Sequence, residues 1–229
     1  MSNSLSTTLT PDISGKKHNM TFAPRVIEYV LDDDNRSAIS ANLDRYFRGT
    51  GRAAFSGRRF DDLAAESDPY CFTATDIAAV CTLSVPLTGQ AVAQLLFDRA
   101  EVLSELLAAC PNPELELWAL DPTALDKDGP LAACYAAVRS LHKVGPVRAS
   151  KLMAAKRPRL VPVRDSVVEA FIGASPRSYW WRPMQQIVSN EAVRRRLEEL
   201  SPDDLSDHVS ILRRLDVVLW MEGNAGRRL

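Results

Sequence analysis

Leu131, Cys134, Tyr135, Val138 and Leu141 recur at i, i+3, i+4, i+7 and i+10, and Pro146 then opens a second helical pattern that runs to about Lys156. A stripe with that period is the buried face of an α-helix, and proline suits the first helical position because an N–H there has no intrahelical partner. Only His142-Lys143-Val144-Gly145 lies between the two patterns, so the segment is expected to fold as one tightly joined helical pair.

The same period recurs elsewhere. Ile39, Leu43, Tyr46 and Phe47 share a face before Gly49-Thr50-Gly51, and Val102, Leu103, Leu106, Leu107 and Cys110 form a stripe closed by Pro111. Thr73 or Thr75 can cap a helix through Ile77, Val80 and Cys81. Near the C-terminus, Ser201-Pro202-Asp203-Asp204 reads as a helix start ahead of Leu205, Val209, Leu212, Leu215 and Leu219, with Gly223 as the stop. Arg52 to Phe60, with Gly57 inside it, reads as a loop or a short β-hairpin. With 46% hydrophobic and 25% charged residues the chain has the composition of a globular protein, which excludes a disordered or fibrous chain. No repeat or long linker appears. The expectation is a mainly α-helical fold, one domain over 21–229, behind a Ser/Thr-rich tail, 1–20, that lacks the apolar region of a secretory signal and is expected to be disordered.

Ile77 to Phe97 is a run of 21 residues without charge, but Pro86 and Gly89 break it and Thr82, Ser84, Thr88, Gln90 and Gln94 dilute it. Two buried helices fit it better than one membrane span. Cys71, Cys81, Cys110 and Cys134 have no CxxC spacing and read as buried reduced thiols of a cytoplasmic protein. Three scattered histidines, His18, His142 and His208, give no metal-ligand pattern, and no nucleotide-binding glycine motif or serine-hydrolase motif occurs, so neither metal nor cofactor is expected.

Charge is distributed unevenly. The formal net charge is −1, yet the stretch between Asp128 and Asp165 holds no acidic residue and eight basic ones: Arg139, Lys143, Arg148, Lys151, Lys156, Arg157, Arg159 and Arg164. That stretch carries +8, and the remaining 20 basic and 29 acidic residues carry −9. A basic run beside a helix N-terminus, where unpaired N–H groups add to the side-chain charge, suits phosphate binding. With 22 arginines against 6 lysines, any single arginine says little.

Leu141 to Val168 resembles the helix-hairpin-helix DNA glycosylase superfamily, whose hairpin reads roughly Leu-Pro-Gly-Val-Gly and is followed by a Pro-Val-Asp-Thr-His-Val type segment. The counterparts are Leu141-His142-Lys143-Val144-Gly145 and Val161-Pro162-Val163-Arg164-Asp165-Ser166-Val167-Val168, 28 residues in all. Over its whole length the chain also resembles an uncharacterised family of bacterial proteins, through Gly57-Arg58-Arg59-Phe60, Phe72-Thr73-Ala74-Thr75-Asp76, Lys156-Arg157-Pro158-Arg159-Leu160-Val161-Pro162 and Leu215-Asp216-Val217-Val218-Leu219-Trp220. The glycosylase resemblance implies a helix-hairpin-helix-like segment over 130–172 that grips the DNA backbone, with Gly145 allowing close phosphate approach and Lys143, Arg148, Lys151, Lys156, Arg157, Arg159 and Arg164 supplying charge. It implies that Asp165 stabilises positive charge on the sugar as a base leaves. Lys143 replaces the first hairpin glycine and is expected at negative φ. Val147 stands where bifunctional members carry a nucleophilic lysine, so base removal without strand scission is implied, and the four-cysteine iron–sulfur cluster of some members is missing.

Three readings of these residues stay open. Asp165-Ser166 before Val167 and Val168 is also a plain helix cap, worth about 1 kcal/mol. The Gly145-Pro146 turn also suits an ordinary corner between helices, and Tyr179-Trp180-Trp181 suits either the core or stacking on an unpaired base. At the level of the whole protein, the alternative to a DNA-binding, base-excising enzyme is a non-catalytic helical protein whose basic face docks an acidic protein partner.

Overall fold

The computed structural model describes residues 22–174 and 180–229; the N-terminal tail and Tyr179 lie outside the described residues. Among the described residues there are twelve α-helices, several short 3-10 turns and no strand. Arg52 to Phe60 is therefore not a β-hairpin: Gly51–Ala53 and Ser56–Arg59 are 3-10 turns, and the chain passes straight into a helix at Phe60. Among the described residues no strand is available to pair with it.

The helices are α1 (Ala23–Leu31), α2 (Arg36–Arg48), α3 (Phe60–Ala65), α4 (Ala74–Thr82), α5 (Gly89–Ala93), α6 (Ala100–Ala109), α7 (Pro130–Arg139), α8 (Pro146–Lys156), α9 (Ser166–Ile172), α10 (Trp181–Ser189), α11 (Glu191–Glu199) and α12 (Ile211–Asn224). A five-residue π-helical turn, Gln94–Asp98, joins α5 to α6. None of these helices is long and apolar enough to cross a membrane.

Helix α12 lies at the centre. Leu215, Val217, Val218 and Leu219 are fully buried, and α12 packs between α2 and α9. Gly223 permits this closeness, because a Cβ there would stand 2.8 Å from both Cγ1 and the carbonyl oxygen of Val167. Helix α8 packs on α7 and α4, and α1 on α10 and α11. One hydrophobic core runs through all of them.

Helix α12 starts nine residues later than the cap-like Ser201-Pro202 suggests. Ser201 turns its hydroxyl back to the Leu197 carbonyl at the end of α11, and Ser210 accepts from Arg213 N at 3.1 Å as the working cap. Thr73 is the cap of α4, and its own N–H donates to Asp76 at 2.7 Å. Val102 falls off its expected stripe and is half exposed, whereas Leu103 and Leu107 are buried. Of the four cysteines only Cys110 and Cys134 are buried; Cys81, on the outer face of α4, is exposed.

Candidate functional site

The basic run does not form one surface. Lys156 is 1% exposed, and its ammonium group meets Asp76 Oδ2 at 2.5 Å, Ser67 Oγ at 2.7 Å and the Asp68 carbonyl at 2.7 Å, three acceptors for three donors. Arg157 is wholly buried and donates to the carbonyls of Pro111, Pro69, Lys156 and Leu107. Arg159 lies between Glu114 and Glu116, and Arg164 is paired with Glu169 at 2.5 Å and lies over the Trp180 ring. Lys151 is paired with Asp165 at 2.9 Å. Burying a cation without a partner is prohibitive, so each sealed cation found an acceptor in the fold. Arg139 and Lys143 remain exposed, and Arg148 is partly exposed while donating to the Pro86 and Lys143 carbonyls.

The turn between α7 and α8 departs from expectation at Lys143, whose φ is +56°. A left-handed lysine costs about 1 kcal/mol, and the neighbouring bonds hold it there. Val144 N donates to Leu141 O at 3.0 Å, and His142 N donates to Gln94 Oε1 at 2.8 Å. Gly145, at φ −82°, caps α8 in extended backbone, and open space surrounds the place of its missing Cβ. Trp180 and Trp181 are both buried, Trp180 against Phe22 and Trp181 against Tyr135.

Asp165 has a different setting. Its Oδ1 accepts from Val167 N at 2.9 Å, capping α9, and its Oδ2 takes Lys151 Nζ, which also donates to the Leu83 carbonyl at 3.2 Å. The pair opens on a cleft of about 360 Å³. Val147 and Lys151 of α8 form one side, and Leu83, Ser84 and Val85 after α4 form another. Ser84 is the second non-glycine residue at positive φ, +61°. Lys151 lies one helical turn beyond Val147 and brings its amine to Asp165.

Residues that the sequence did not mark as site candidates complete the cleft. Tyr46, Phe55 and Trp220 make an aromatic wall, with Tyr46 and Phe55 stacked at 5.3 Å and Trp220 edge-on to Phe55 at 5.5 Å. Beneath them is Arg213, which is buried and donates to Asp216, to Asp61 Oδ2 at 3.1 Å, to Tyr46 OH at 2.7 Å and to the Gly57 carbonyl at 3.0 Å. Burial lifts the carboxyls of Asp61 and Asp216 against the pull of Arg213, Asp216 up to about 6. Burial likewise lifts the Tyr46 phenol. The signal that could have found this network is Arg213 and Asp216 standing at i, i+3 on α12 among Leu212, Leu215 and Val217.

Fold and site together define an all-α protein with an aromatic-walled cleft in which two aspartates and a lysine meet. The chain belongs to DUF6308, a family of unknown function, which it matches over residues 39–223, a span that holds every residue of the cleft. No curated protein and no solved structure matches it.

Proposed function

We propose that the protein binds DNA through the turn between α7 and α8 and removes a base lodged in the cleft, with Asp165 stabilising positive charge on the sugar. One observation carries this reading. Helix α8 with its preceding turn has Lys143 and Arg148 on the outside and directs Val147 and Lys151 into the cleft with Asp165, so a bound backbone and the carboxylate would share one rigid element. Trp220, partly exposed and edge-on to Tyr46 and Phe55, offers apolar surface in the cleft for a planar ring, and an extruded base needs such a pocket. Lys151 Nζ is engaged in donating to Asp165 and to the Leu83 carbonyl, and Val147 stands in the nucleophile's place, so the expected product is an intact abasic site.

Phosphate contact makes affinity fall with salt and vary little with sequence. Fluorescence anisotropy on short duplexes at rising salt checks this, and Lys143→Glu with Arg148→Glu is expected to abolish binding. Salt-independent affinity, or affinity that survives the double variant, refutes the DNA contact. Incubation with damaged-base duplexes, with and without alkali before electrophoresis, checks the chemistry. Breaks without alkali, or a borohydride-trapped adduct lost in Lys151→Arg, would show lyase chemistry. DNA binding with no base released would leave a binding protein only.

A further inference from the structure

We propose that Asp216 is the proton donor of this cleft, serving the leaving base while Asp165 serves the sugar. The inference rests on the base-removal reading above and assigns a role to a residue of α12, outside the 130–172 segment. Asp216 and Asp165 line the same cleft, but their surroundings differ. Both oxygens of Asp165 already accept N–H groups, from Val167 and Lys151, and a proton on that carboxyl would compete with one of them. Asp216 shares a single guanidinium with Asp61, and the side chains of all three are at most 5% exposed.

Counting charge around Asp216 gives the reason it holds a proton. Arg213 on its own helix supplies one positive charge, Asp61 on α3 takes up one, and Tyr46 on α2 is neutral. Lys151 on α8 and Asp165 at the start of α9 cancel each other. With Asp61 and Asp216 both ionised, a buried group carries one uncompensated negative charge, and taking up a proton relieves it. Of the two, Asp216 is the one that lines this cleft; Asp61 lines other hollows. Burial and the Asp165 charge lift Asp216 against Arg213 and Lys151. Two carboxyls driven apart in this way are suited to separate acid and electrostatic roles.

The step balances with water alone. The C1′–N bond breaks with its electron pair passing to the base, whose nitrogen takes the Asp216 proton. Water adds to the C1′ cation beside Asp165 and releases a proton to solvent, from which Asp216 is reprotonated. A positioned acid of this kind is worth about 100- to 10,000-fold in rate.

The test compares neutral leaving bases, such as uracil and hypoxanthine, with 7-methylguanine, which is already cationic and needs no proton to leave. In the wild-type protein, release of a neutral base should fall as pH rises through about 6, and release of 7-methylguanine should not. Asp216→Asn, checked for folding by thermal melting, should lose about 100-fold or more on neutral bases and keep most of its rate on 7-methylguanine. Where only neutral bases are released, the falling limb and its loss in the variant decide the matter. Equal losses on both substrates, no falling limb with neutral bases, or release of 7-methylguanine alone would each overturn the assignment and leave base removal standing. If the wild-type protein releases no base, base removal and this assignment fall together.

Discussion

Lys151 and Lys156 stand five residues apart on α8, and each forms an ion pair with an aspartate, yet only in the Lys151–Asp165 pair do both partners line a cleft. The Lys156–Asp76 pair is completely sealed, its ammonium saturated by three acceptors. In the Lys151–Asp165 pair the aspartate side chain keeps 17% of its surface open. The difference teaches that pairing by itself does not make a site. A sealed pair locks α8 to α4, whereas an open one can exchange a partner for a ligand atom without unfolding anything.

The largest effect should come from the sealed pair. Asp76→Ala leaves a buried ammonium uncompensated and should cost about 3 to 5 kcal/mol, with much of it regained when Lys156→Met is added. Urea unfolding measures both, and a single variant as stable as the wild-type protein would undo the contrast. Next comes the network under the cleft. Asp216 is lifted from its ordinary 3.8 to about 6, so its stabilising contribution is full below about pH 3.8 and is lost as pH rises through about 6. Measured against Asp216→Asn, the wild-type protein should lose roughly 2 to 3 kcal/mol over that window, since each pH unit between the two values is worth about 1.36 kcal/mol. Parallel stability curves would show that Asp216 does not titrate in this window.

The open pair should matter less to the fold. Lys151→Met should cost only about 1 to 2 kcal/mol, because Asp165 keeps the Val167 N–H and its contact with solvent. A loss as large as that of Asp76→Ala would mean that the two pairs are equivalent after all. Smallest is Lys143→Gly, which relieves a left-handed lysine and should raise stability by about 0.5 kcal/mol while weakening the proposed DNA affinity. A destabilised variant would show that the lysine side chain holds the turn.

Local signals in the sequence were the dependable ones. The limits of α8, from Pro146 to Lys156, follow from the proline start and the apolar period, and Asp165-Ser166 marks the cap of α9. Spatial partners were not legible. The eight cations between Asp128 and Asp165 read as one patch only while their acceptors are unseen, and Asp76 lies 80 residues before Lys156. The aromatic wall is drawn from positions 46, 55 and 220, which no periodicity connects. Ser201-Pro202 misled because its hydroxyl closes α11 and leaves Ser210 to open α12.

Gly223 sits two turns along α12 from Asp216 and touches no charge, yet it rests on Val167, whose amide is the one that Asp165 caps. The spacing of α12 from the start of α9, and with it that of the two carboxylates, is therefore gauged by a contact that involves neither carboxylate. An added methyl at 223 would act as a shim between α12 and α9, widening the gap between the aspartates without removing either. The activity proposed for this cleft should thus be tunable by spacing alone, with every titrating group still in place.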